Sequence, residues 1–379
     1  MPRRGSRRPS RPSPAPPAPE AQRASLEAEV LPGLAPLVMN ALRGVPGVRA
    51  MRVKGDAARA DAVTFELPAG GDLPEEALRM VTALHRVVAF DVPRPKALLA
   101  DAHVRTVREV LGDVTREAAR RGATFHGVRL EAAGRESPVM QRLAQAYATA
   151  VGLPVDLAEG DLKVRVRPAR EGGWEVLVRT TPRPFSARAW RVANLPGGLN
   201  ACVAAAAWRM LGTTAEDRVV NLACGSGTLL IERAALGPAG HLLGIDVDEA
   251  ALEAARANLA AAGVQAELRR EDATATSLPN GACSVVVTDP PWGDVHGGEA
   301  NLEALYGGLL DEAARILEPG GRALVIVHAL RAFDAALAQR RDAWQLDESL
   351  RVFHGGHRPA MHRLHCTKSS GAPLLDSTA

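Results

Sequence analysis

The segment Arg218-Val219-Val220-Asn221-Leu222 is short, apolar and β-branched, the pattern of a strand buried on both faces. It runs straight into Ala223-Cys224-Gly225-Ser226-Gly227-Thr228 and then into a helical stretch, Leu229 to Ala235. Strand, glycine turn and helix in that order open a doubly wound α/β sheet, and everything downstream must fit it. Gly225 and Gly227 permit positive φ and let a ligand lie against the backbone. His241 to Asp246 reads as the second strand, ending in a carboxylate. Asp246 lies nineteen residues beyond Gly227, close to the offset at which an acidic residue receives ribose hydroxyls. A helix (Glu249 to Ala262) and a third strand (Ala266 to Arg270) come next, with Glu271-Asp272 at the carboxyl end.

The turn is not a dinucleotide cradle. The third glycine of that pattern is Leu230 here, which disfavours NAD. The loop suits a ligand with a carboxylate and a sulfonium near the turn, a ribose at Asp246 and an adenine near Asp272. S-adenosylmethionine has that form. The expected contacts are Ala223, Gly225, Ser226, Gly227, Thr228, Asp246 and Asp272.

A fourth strand, Ala282 to Thr288, delivers Asp289-Pro290-Pro291-Trp292-Gly293 at its carboxyl end, where open α/β sheets bind ligands. An exocyclic base amine is a poor nucleophile, because its lone pair is delocalised into the ring. Acceptors aimed at the amine hydrogens, from the Asp289 carboxylate and the Pro290 carbonyl, draw the nitrogen toward tetrahedral geometry. Pro290 and Pro291 stiffen the turn, and Trp292 offers a face for the base. Asp289, Pro290, Pro291 and Trp292 are therefore the expected catalytic residues. Aromatic residues make up only 3% of the chain, which singles out Trp292 further.

Downstream, Leu302 to Leu317 reads as a helix, Glu318 to Gly321 as a turn and Arg322 to His328 as a fifth strand. Runs around Leu350–His354 and Met361–Cys366 suggest a closing hairpin. His354, His357, His362 and His365 read as hairpin residues rather than metal ligands, since no cysteine pair accompanies them. No metal is expected.

The 379 residues suffice for two or three domains. Residues 1–24, rich in Pro, Arg and Ser, predict a disordered basic tail rather than a secretory signal. Residues 371–379 predict a flexible end. No run reaches transmembrane length, and four scattered cysteines fit a reduced cytoplasm. Residues 25–100 carry strand and helix signals at 28–31, 34–43, 48–53, 62–67 and 75–85. Residues 101–182 add helices at 101–111 and 138–151 and a hairpin from 162 to 180. Both read as small α+β domains.

Charge is unevenly spread. Residues 161–191 hold eight Lys/Arg against three acids, a net +5, whereas residues 215–320 hold six Arg against seventeen acids, a net −11. A basic middle beside an acidic catalytic half suits a polyanion held by the middle. Lys163, Arg165, Arg167, Arg188 and Arg191 are the candidate RNA contacts. Lys163, Arg165 and Arg167 also alternate along one face of a strand, a solvated hairpin face that is compatible with RNA contact.

With these motifs laid out, the chain resembles the THUMP-domain RNA methyltransferases that modify guanine N2. Asn221 to Thr228 is similar to that family's cofactor loop, and Asp289-Pro290-Pro291-Trp292 to its Asp/Asn-Pro-Pro-aromatic box. Ser186 to Arg191 and Leu195 to Asn200 resemble its linker into the first catalytic helix, and Val30 to Leu34 its opening strand and turn. Asn221 stands where that family has Asp, and Trp292 where Tyr or Phe is usual. The resemblance implies a ferredoxin-like domain at 25–100 and a THUMP RNA-binding domain at 101–182. It also implies a Rossmann-like S-adenosylmethionine-dependent methyltransferase domain with a mostly parallel seven-stranded sheet at 183–370, and adds Asn221 to the cofactor contacts. The implied reaction is methylation of guanosine N2 in tRNA, without an obligate protein partner. Ribosomal RNA is the rival substrate, adenine N6 of RNA or DNA the rival acceptor, and a non-catalytic RNA-binding scaffold the rival class.

Overall fold

The computed structural model describes residues 23–290 and 299–367, apart from 54, 57, 58, 69, 354 and 355, with backbone alone at 299 and 300. The expected tails are thus outside the described residues, except that Arg23 and Ala24 already belong to a strand.

The front half runs β1 (Arg23–Glu29), α1 (Ala35–Arg43), β2 (Arg49–Val53), β3 (Ala62–Pro68), α2 (Glu75–Arg79) and β4 (Ala83–Phe90). After a 3-10 turn at Pro95–Leu99 come α3 (Asp101–Arg120), β5 (Val128–Ala132), α4 (Pro138–Val151), β6 (Leu162–Pro168) and β7 (Trp174–Arg179). These strands make one seven-stranded sheet in the order β2-β3-β1-β4-β7-β6-β5. The line expected at residue 100 is therefore not a break in pairing, because β4 bonds to β1 on one side and β7 on the other. The expected signal at 75–85 divides into a short helix and this strand. Thr82 stops the helix: its backbone N–H and its hydroxyl both donate to the Glu29 carbonyl, at 2.8 and 2.9 Å. Helix α3, by contrast, runs past Gly112, because Val107, Leu111, Val114 and Ala118 continue one buried stripe.

The second half contains α5 (Ala201–Leu211), β8 (Arg218–Leu222), α6 (Thr228–Ala234), β9 (His241–Asp246), α7 (Glu249–Ala262), β10 (Glu267–Arg270) and β11 (Cys283–Thr288). It ends with α8 (Glu299–Ile316), β12 (Leu317–Val327), α9 (Leu330–Ala338), β13 (Trp344–Arg351) and β14 (Ala360–Cys366). Its sheet order is β10-β9-β8-β11-β12-β14-β13. The first five strands are parallel, and the closing hairpin β13–β14 adds the antiparallel edge. The strand order reverses between β8 and β11, which opens a crevice at their carboxyl ends.

The two halves share a core. Leu34, which precedes α1, and Val38 and Leu42 of α1 belong to the same buried cluster as Trp208 of α5 and Leu230 of α6. Gly33 seals a second contact: its φ is +103°, and a Cβ there would lie 2.1 Å from the Arg351 carbonyl oxygen. Only glycine tolerates both. No described helix is long and apolar enough to cross a membrane.

Candidate cofactor and acceptor site

The turn after β8 is built from left-handed backbone: Ala223, Gly225 and Gly227 have φ of 53°, 54° and 79°. Nothing lies within 4 Å of where a Gly225 Cβ would sit, so this backbone is open to a ligand. Asp246, at the end of β9, braces the turn by accepting the Gly225 N–H at 2.8 Å through Oδ2 and the Asp248 N–H at 3.0 Å through Oδ1. Each carboxylate oxygen keeps capacity for a further donor. Asp272, beyond β10, accepts the Thr274 N–H at 2.8 Å and hydroxyl at 2.7 Å. These bonds hold its carboxyl below the ordinary range.

Ala223, Gly225, Ser226, Thr228, Asp246, Asp272, Asp289 and Pro290 all line one cavity of about 710 Å³. The loop turn, the two strand-end carboxylates and Asp289-Pro290 thus converge on one cavity. These residues fit S-adenosylmethionine. The open loop backbone suits the amino-acid end, Asp246 the ribose hydroxyls, and Asp272 with Val247, Ala273 and Leu305 a flat heterocycle. A larger hollow of about 870 Å³, lined by Trp190, Gly237 and His241 among others, sits at the opposite, amino ends of β9 and β10 and holds none of these groups.

Other expectations resolve differently. Asn221 is fully buried inside the sheet and away from the cavity. Its Nδ2 donates to the Val287 carbonyl at 3.1 Å, stitching β8 to β11. Gly227 does not line the cavity either; it caps α6, with its Cβ position 3.4 Å from the Ala255 Cβ. Pro291 and Trp292 lie outside the described residues, as does His354. His362 is buried, stacks on Phe333 with ring centroids 4.6 Å apart, and bonds through Nδ1 to the Ser349 hydroxyl at 2.7 Å.

The five candidate RNA contacts are held by partners of their own. Lys163 and Arg165 pair with Glu131 at 2.9 and 3.2 Å. Arg167 bridges Glu175 at 3.0 Å and the buried Glu27, the latter through two bonds of 3.0 and 2.5 Å. Arg188 is bound to Glu232 at 2.8 Å, and Arg191 donates to Leu199 O and Thr228 Oγ1 at 2.8 and 2.9 Å. The alternation on β6 is real, and its polar face meets glutamates from other strands.

Two positioning elements were not anticipated. The linker Leu195–Leu199 forms a wall of the cavity. It is pinned by Arg191 and by Asn258 of α7, whose Oδ1 accepts the Val192 and Ala193 N–H groups, both at 2.9 Å. Asn258 Nδ2 donates to Ala193 O at 3.0 Å and Ser226 O at 3.1 Å, so the linker and the glycine loop share one amide. An asparagine on the buried stripe of an alanine-rich helix was the signal for it.

Residues 188–360 match the family model described as UPF0020, RMKL-like, methyltransferase domain. A tRNA (guanine(6)-N2)-methyltransferase of Thermus thermophilus is 34% identical over 191 residues, 50% of this chain and 56% of that protein. A tRNA1(Val) (adenine(37)-N6)-methyltransferase of Dickeya chrysanthemi is 29% identical over 179 residues, 43% of this chain and 70% of that one. The chain thus spans about half the length of the first of these relatives. The crystal structure of TrmN from Thermus thermophilus superposes with a TM-score of 0.67 at 28% identity, covering 90% of this chain and 99% of that one. Over residues 188–360 this chain is thus similar to the UPF0020, RMKL-like methyltransferase domain, with S-adenosylmethionine as the cofactor.

Proposed function

We propose that the chain transfers a methyl group to the exocyclic N2 of a guanosine in tRNA, in the cytoplasm. One observation carries this reading: Asp289 and Pro290 open into the same cavity as Gly225, Asp246 and Asp272. Bound S-adenosylmethionine supplies a methyl group already activated by its sulfonium. The chain's part is to place and prepare the amine. The Asp289 carboxylate and the Pro290 carbonyl accept the two N2 hydrogens, which returns the lone pair to nitrogen. The proton shed after transfer passes to the Asp289 carboxylate or to water. The base must leave its stack to reach this turn, and the front half, with the proposed ferredoxin-like and THUMP domains, docks the RNA. The guanine-modifying relative from Thermus thermophilus supports guanine over adenine. All four cysteines are buried free thiols, in keeping with a reducing compartment.

The same two acceptors serve adenine N6, as the relative from Dickeya chrysanthemi suggests. Labelled methyl transfer to bulk unmodified tRNA, followed by nucleoside mass analysis, separates the readings. N2-methylguanosine is expected. N6-methyladenosine would promote the second reading, and product on ribosomal RNA alone would move the substrate.

A further inference from the structure

We propose that the turn between β13 and β14 is a stacking platform for the RNA strand beside the target base, with Phe353 and Arg358 as its contact residues. The inference rests on the RNA methyl-transfer reading and adds the surface that grips the substrate next to the reacting nucleotide.

Register places the turn. β12 is parallel to β11, with Thr288 opposite Val325, so β12 ends at the carboxyl edge that carries Asp289. β14 begins at that edge, Ala360 opposite Val327, and β13 ends there, Arg351 opposite Ala360. At ~4.8 Å per strand, Ala360 and Arg351 lie about 10 and 14 Å from β11. They are on the side of β11 away from β8, β9 and β10, whose ends hold the cofactor groups. A base flipped toward Asp289 leaves its neighbours unstacked within reach of this turn.

The chemistry suits them. Phe353 is 42% exposed, the one aromatic among the exposed large apolar side chains of the described residues. The Arg358 guanidinium lies 5.6 Å from its ring centroid. Unpaired bases stack on such rings and on guanidinium planes. Arg331, Arg351 and Arg358 are all exposed, and none forms an ion pair among the described residues. That sets them apart from Lys163, Arg165 and Arg167, which glutamates already occupy. The neighbouring acids of β13, Asp347 and Glu348, are engaged by Arg363.

The described residues that flank the turn are also anchored. Val352 is buried and donates to the Pro359 carbonyl at 3.0 Å, and the Phe353 N–H donates to the Pro32 carbonyl at 2.9 Å. The rings of His328 and His357 meet edge to face at 5.6 Å, tying the end of β12 to the turn. An exposed ring carried on backbone anchored in this way suits stacking.

The test is tRNA binding by fluorescence anisotropy across a salt series, with S-adenosylhomocysteine present, for wild type, Phe353→Ala, Phe353→Tyr and Arg358→Gln. Phe353→Ala should weaken binding about 5- to 100-fold with an unchanged salt slope, while Phe353→Tyr restores it. Arg358→Gln should lower the log–log salt slope by about 0.7. In turnover, both losses should appear in KM for tRNA, with cofactor affinity unchanged. Wild-type binding and slope in Phe353→Ala and Arg358→Gln would overturn the platform, as would failure of wild type to bind tRNA. Platform-dependent binding that yields N6-methyladenosine would instead sink the guanine reading and leave the platform standing.

Discussion

The Asn258 side chain donates to the Ser226 carbonyl at 3.1 Å while accepting the Val192 N–H at 2.9 Å, so one amide locks the cofactor turn to the linker that walls the cavity. All its hydrogen-bonding capacity is spent on backbone. The cofactor site is thus assembled from two separate segments of the chain, with α7 as the clamp between Ala193 and Ser226.

Asn258→Ala should therefore weaken cofactor binding by about tenfold, the worth of one to two buried hydrogen bonds. Asn258→Asp should do no better, since it sets a carboxylate against two carbonyl oxygens. Calorimetric titration with S-adenosylhomocysteine checks this, and unchanged affinity in both variants would show the clamp to be idle.

Asp289 is expected to act on the amine rather than on the cofactor. Asp289→Asn should lower kcat by at least about 10²-fold, in line with loss of one positioned charge-stabilising group, while cofactor affinity holds within about threefold. Near-normal turnover in single-turnover assays would remove Asp289 from the mechanism.

Glu232 is fully buried and receives Arg79 from the front half at 2.8 Å and Arg188 from the linker at 2.8 Å. Breaking such a node leaves buried cations without a carboxylate, at a cost of about 3 kcal/mol for Glu232→Gln. Replacing Arg79, Arg188 and Glu232 together with Met, Met and Leu should recover most of that stability. Urea unfolding of the two variants decides it; a Glu232→Gln protein as stable as wild type would show the node to be dispensable.

His85 supplies a pH dependence. Burial, reinforced by Arg165, lowers its imidazole from 6.5 to about 4. The native state then binds fewer protons than the unfolded chain between those values, so stability falls as pH drops through that window. The loss is about 3 kcal/mol at most. His85→Gln should flatten the slope, as measured by urea unfolding at about pH 7 and pH 4.5. Equal slopes in the two proteins would clear His85.

Much of the site was legible because its marks are local. A β-branched strand running into Gly225 and Gly227, and a strand ending in Asp289-Pro290, are turn chemistry that the chain must spell out residue by residue. What depended on distant partners was not legible. Arg165 and Arg167 alternate as a free face would, and only Glu131, Glu27 and Glu175 on other strands reveal that they are spoken for. Asn221 lies in the motif but serves the sheet, because a side chain inside a central parallel strand meets neighbouring strands before it meets a ligand. Strand β4 went unread for the same reason: its identity comes from β1 and β7, not from its own alternation.

The shared position of β4 also decides how the protein can be taken apart. A fragment ending at residue 100 would carry β4 with the edge that faces β7 bare, from His85 to Phe90. Unpaired amides along a strand recruit other chains. Such a fragment should self-associate, whereas residues 23–182 kept together retain every ladder of that sheet.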